Sequence, residues 1–153
     1  MKALTVYQPW ATLIMEGLKP FEFRGWDFST RPNLRGLIDQ RIVIHASVRT
    51  VRPAEIVDLQ ERLTTDPRST GLVVGGSLDI LDKLWRDPKL LPLGAALGTV
   101  VLGKPIRATE IKHGTVDSDR ADHQGFGERA LLPHLGEHAC GVRRDLDHSI
   151  NRH

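Results

Sequence analysis

Cysteine is nearly missing from this chain. Cys140 is the single one among 153 residues, so no internal disulfide can form and a reducing cytoplasm is the expected setting. Long apolar runs are missing as well. None approaches the ~18 residues of a membrane helix, and the start has no basic stretch followed by an apolar one, the mark of a secretory leader. Neither a leader nor a membrane partner is therefore expected. A phosphate-binding loop is also absent, because Gly75-Gly76-Ser77 has neither the lysine nor the spacing. No Ser/His/Asp order or nucleophile elbow supports serine hydrolysis.

What is there describes a globular protein. Apolar content of 40% and charged content of 26% are ordinary, and the length predicts one domain with one core. The net charge is +2, but it is unevenly spread. Residues 1–52 carry eight Lys/Arg against four Asp/Glu, residues 53–92 five against seven, and residues 93–153 eight against eight. Fifteen of the 21 basic residues are arginine, whose planar fork suits phosphates and base edges. Arg24, Arg31, Arg35, Arg41, Arg49 and Arg52 make up most of the N-terminal excess. A solvated basic face would read the same way.

The stretch from Tyr7 to Trp26 is the most informative. An apolar strand over Ala3–Tyr7 runs into Gln8-Pro9, and proline suits a helix start because its φ is already set. Trp10, Leu13, Ile14 and Gly17 follow at i, i+3, i+4 and i+7, one face of a short helix that Gly17 can end in a left-handed conformation. Lys19, Glu22, Arg24 and Trp26 then alternate with Pro20, Phe21 and Phe23, a density of charge and indole that reads as a site.

Beyond it, Phe28–Gly36 is loop-like, and Leu37–Ala46 is a strand around the β-branched run Ile42-Val43-Ile44. Pro53 opens a helix with Ile56, Leu59 and Leu63 on one face. Leu72-Val73-Val74 is either a short strand or part of a glycine-rich connection. Ser77 is placed to cap a second helix bearing Leu78, Leu81, Leu84 and Trp85. Ala95–Leu102 is the third strong strand, with Gly98 and Gly103 marking a bend or a close approach, and Ile106–Ile111 is a weaker one. After His113 the pattern fails, apart from a helix candidate near Glu128–Leu135.

Gln8-Pro9-Trp10-Ala11, Leu13-Ile14, Gly17, Lys19, Glu22, Arg24 and Trp26, in this order and spacing, resemble the opening signature of the ASCH domain, a relative of the PUA RNA-binding fold. Ile42–Ser47 and Leu91-Pro92-Leu93-Gly94 with Gly98–Val101 are similar to later parts of the same pattern. The resemblance covers about the first two-thirds of the chain, as expected for one compact domain with additions. It implies an α+β fold, a PUA-like mixed β-barrel with flanking helices. Residues 53–92 then form a helical insertion, and residues 113–153 an atypical histidine-rich tail within one 1–153 domain. The family's further strands and closing Gly-rich, Trp-containing segment are not visible in that tail.

The same resemblance implies a nucleotide or RNA cleft. Some members are amidohydrolases acting on N-acetylated cytidine and others are ribonucleases, and Lys19 aligns with the catalytic lysine, which leaves enzyme or binder open. Such a lysine must be desolvated or set near other cations to lose its proton near neutral pH, and Glu22 is a proton-transfer partner close in sequence. A structural Lys19–Glu22 ion pair is the competing expectation. Arg24 completes the charged group.

Trp10 and Trp26 either pack in the core or stack on bases. Gln8 either reads a base edge or caps a backbone group. His45 and Ser47 end a buried strand, where His45 either contacts a phosphate or transfers protons, or is simply a satisfied, partly buried histidine. His134 and His138 stand at i, i+4 before Cys140. Yet His-Leu-Gly-Glu-His is not H-E-x-x-H and Gly136 weakens the helix, so neither a metal site nor any cofactor is expected. The expected partner is RNA or a modified nucleoside. The oligomeric state is not written in the sequence.

Overall fold

The computed structural model describes residues 1–24, 31–108 and 138–143, giving backbone alone for 138–143 and for Asn33 and Leu34. In chain order it runs β1 (Ala3–Val6), α1 (Trp10–Met15), β2 (Phe21–Arg24), α2 (Pro32–Arg35), β3 (Arg41–Ala46), α3 (Pro53–Thr65), α4 (Val74–Arg86), β4 (Ala96–Arg107) and β5 (His138–Arg143). One mixed sheet has the order β1-β3-β4-β5-β2. β1 runs parallel to β3, and the other neighbours are antiparallel.

β3 holds the middle of this arrangement because its side chains alternate. Ile42, Ile44 and Ala46 are buried while Arg41, Val43 and His45 face the other way. The buried set packs with Val6, Val100, Leu102, Ala11 and Ile14 to form one core. A second core lies under the helices, where Ile56, Leu59 and Leu63 of α3 meet Leu81 and Leu84 of α4. The six-residue α1 is buried in both directions: Ala11 and Ile14 enter the first core and Leu13 the second. Trp10 packs against both.

Two glycines earn their places. Gly17 has φ +75 and ends α1. Leu18 and Lys19 then donate back to the Leu13 carbonyl at 2.9 and 3.1 Å. At Gly98 a Cβ would come within 2.5 Å of the Met15 methyl, the free end of a flexible side chain that packs over this bare backbone.

Several expectations need correction. Pro9 is the cap of α1 and Trp10 its first residue, with the Gln8–Pro9 peptide cis. The supposed loop over 28–36 contains the short α2, opened by Pro32. β3 begins at Arg41, because Asp39 turns the chain with φ 61 and donates its N–H to the Leu102 carbonyl at 2.7 Å. Ser77 does not cap α4. That helix starts at Val74, so Leu72–Val74 is not a strand, and Ser77 lies buried three residues in, its hydroxyl without a partner among the described residues.

The third strand of the sequence reading and the start of the fourth are one strand, β4, whose register shifts between Leu102 and Pro105 beside Gly103; residues 109–111 of the fourth lie outside the described residues. The tail, read as patternless, supplies β5, which joins β4 to β2. Its pattern is obscured by Gly141 and a short span. β1 and β2 are the two edges of the sheet, and among the described residues no ladder joins them into a closed barrel. Trp26, the Glu128–Leu135 helix candidate and His134 lie outside the described residues.

Candidate functional site

The tight turn after Gly17 brings the chain from α1 into β2 within a few residues, so Lys19 arrives underneath the helix it has just left. The lysine and Glu22 are both buried, at 6% and 8% exposure. Lys19 Nζ lies 3.2 Å from Glu22 Oε2 and donates to the Phe21 carbonyl at 2.5 Å. It also sits 5.0 Å from the centre of the Phe23 ring and 5.5 Å from that of Trp10, within cation–π range. Burial among these rings pushes the Lys19 pKa down. Glu22 opposes that effect without overcoming it, and Arg24 adds to it.

Arg24 closes the other side of Glu22, with a guanidinium nitrogen 3.1 Å from Glu22 Oε1. The same nitrogen lies 3.4 Å from the Thr5 carbonyl, which links the two edge strands through a side chain. Thr5 Oγ1 is in turn 3.4 Å from His45 Nδ1. A polar track therefore runs Lys19–Glu22–Arg24–Thr5–His45. Its weak point is Arg24 Nε, buried with no partner among the described residues.

Trp10 also lines a cleft of about 420 Å³, between the start of α1 and the start of α3. That is the size of a small-molecule site. Trp10 and Gln8 line it together with Arg49, Arg52 and Arg62. Gln8 is buried and its amide is already engaged. It donates to the Pro92 carbonyl at 2.9 Å and accepts from Thr12 N and Oγ1 at 3.1 and 3.0 Å, so it fixes α1 to the segment before β4. Ser47 serves the turn that carries Arg49, its hydroxyl accepting from Arg49 N at 3.2 Å.

The arginines are held by carboxylates of α3. Arg49 pairs closely with Glu55. Glu55 also accepts from Arg52 N at 2.9 Å, capping the first turn. That N–H and the Arg49 guanidinium hold the Glu55 carboxyl well below the usual range, at about 2. Arg62 Nη1 lies 3.8 Å from Asp58. Three guanidinium groups against two carboxylates leave the rim positive.

The family model for the ASCH domain matches residues 4–113. The chain belongs to the ASCH domain family. Curated proteins give no significant match. The matched region contains the buried lysine, the charged track and the arginine-lined cleft of this ASCH domain.

Of the residues singled out in the sequence, Trp10, Lys19, Glu22 and Arg24 converge. Gln8 borders the cleft, His45 joins the track through Thr5, and Ser47 supports Arg49. Sequence reasoning noted Arg49 and Arg52 only as surplus charge, and passed over Glu55, Asp58 and Arg62. Their spacing of three and four on α3 was a readable polar stripe, flanking the apolar face of Ile56, Leu59 and Leu63. Among the described residues no group of three or more His, Cys, Asp or Glu side chains is arranged to hold a metal, and no helix is long and apolar enough to cross a membrane.

Proposed function

We propose that the cleft beside Trp10 binds RNA or a modified nucleoside, with the arginines taking the phosphate and Trp10 the base. The observation that carries this reading is the shared wall: Trp10 borders the cleft and packs under the Lys19 ammonium. A base resting there would meet an aromatic face backed by positive charge. Membership of the ASCH family supports the class of ligand. In this reading the two sheet edges belong to a PUA-like barrel, bridged by Arg24 and Thr5. The 53–92 helices are an insertion that supplies one wall of the cleft, and the whole chain is a single domain.

Titration with a short single-stranded RNA at low salt tests the proposal. Binding that weakens at least tenfold in the Arg49→Ala, Arg52→Ala double variant supports it. Binding that ignores these changes, or no binding at all, overturns it.

A second reading has its own support. A buried lysine with a lowered pKa, hydrogen-bonded to a carboxylate, has the makings of a proton acceptor or nucleophile, so a hydrolase of N-acetylated cytidine or of RNA is the rival. Turnover of acetylated cytidine or RNA that Lys19→Ala abolishes would favour it over simple binding.

A further inference from the structure

Outside the cleft, at the end of the sheet where β1 and β3 finish, one aromatic side chain is left in the open. Tyr7 is 57% exposed although it follows directly on the buried Val6. Ser47 N donates to the Val6 carbonyl at 2.9 Å, so Tyr7 stands beside the Ser47–Arg49 turn. The Arg49 guanidinium lies 5.4 Å from the centre of the Tyr7 ring, and the same Arg49 lines the cleft. Val48, 78% exposed, extends the surface. Gly94 reaches it from the start of β4, where a Cβ would stand 3.0 Å from Val48 Cγ1.

An open aromatic ring next to a cation that also serves a neighbouring pocket is the arrangement by which single strands are held: the cation follows the backbone while the ring takes a base. A lone nucleoside would use the cleft and leave Tyr7 idle. Beyond its contact with the Arg49 guanidinium, the exposed part of Tyr7 would then face water.

We propose that Tyr7 is the stacking platform for a second base, so that the ligand of this site is single-stranded RNA of two or more nucleotides rather than a free nucleoside. The proposal rests on the cleft reading above. Arg49 marks the phosphate between the two bases, reached from the cleft on one side and from Tyr7 on the other. Charge selects a polyanion as the occupant, since Arg49 and Arg52 share the single carboxylate of Glu55 and one positive charge is left over.

The test compares the affinity of cytidine 5′-monophosphate with that of a cytidine tetranucleotide, for the wild-type chain and for Tyr7→Ala and Tyr7→Phe. Stacking one base on an aromatic side chain gives about fivefold in affinity or more. The tetranucleotide is therefore expected to exceed the mononucleotide by at least that factor in the wild type and in Tyr7→Phe. In Tyr7→Ala the ratio should fall by about that factor, leaving only the share that the extra phosphates contribute. Mononucleotide binding with no length advantage, or a length advantage that Tyr7→Ala leaves unchanged, overturns the platform and leaves the cleft standing. Failure of both ligands to bind overturns the cleft reading together with this one. Dimers of the free chain that dissolve on Tyr7→Ala would assign the ring to a second copy, and would also overturn it.

Discussion

Among the described residues, Lys19 gathers the most varied set of contacts. Its ammonium has given up water for one carbonyl, one carboxylate and two aromatic rings. Removing one member of a buried ion pair is costly because the partner's charge stays behind, about 3–5 kcal/mol against at most about 1 for an exposed pair. Arg24 remains to neutralise Glu22, so Lys19→Met should fall near the lower figure, at about 3 kcal/mol. Adding Glu22→Gln should recover part of that loss. Urea unfolding of the two single variants and the double one measures the coupling, and additive effects below about 1 kcal/mol would show that the pair behaves as a surface one.

This cluster was legible in the sequence because Lys19, Glu22, Arg24 and Trp26 crowd charge and indole just after a short apolar helix. The use made of Gln8 was not. A glutamine reads equally well as a base reader or a brace, and only the Pro92 carbonyl, 84 residues away, decides for the brace.

At the scale of the elements, α3 deserves the closest look. Its first turn is fastened by Glu55, which takes the Arg52 N–H and the Arg49 guanidinium. Because the folded-state pKa lies below the ordinary carboxylate value, at about 2 against 4.5, this fastening is complete above pH 4.5 and fades as the pH falls toward 2. Stability should therefore drop over that window. In Glu55→Gln the drop should be shallower, with lower stability at neutral pH. Denaturant midpoints taken from pH 7 to pH 2 test it, and parallel curves for the two proteins would exclude the role.

The apolar stripe of α3 was readable from Ile56, Leu59 and Leu63. The start of α4 was not, since Gly75 and Gly76 look like a connection. Burial of Leu81 and Leu84 against α3 overrides their poor helix propensity.

For the molecule as a whole, the decisive feature is that α1 is shared by two cores. The sheet packs on one side of it and α3 with α4 on the other, and the cleft opens where Trp10 touches both. The sequence pattern foresaw β1, α1, β3 and the helices between neighbouring strands, each from a local period. It missed β5, whose place depends on pairing with β2 more than a hundred residues away. No local period carries that information.

If the arginines around that cleft hold phosphates, the affinity for RNA must fall with salt. For a single strand, each neutralised phosphate contributes about −0.7 to the slope of log affinity against log salt. Arg49, Arg52 and Arg62 together predict a slope of about −2 for a short RNA, falling by roughly 0.7 for each arginine replaced by alanine. A slope near zero, or one that is unchanged when Arg49 and Arg52 are both removed, would contradict the account.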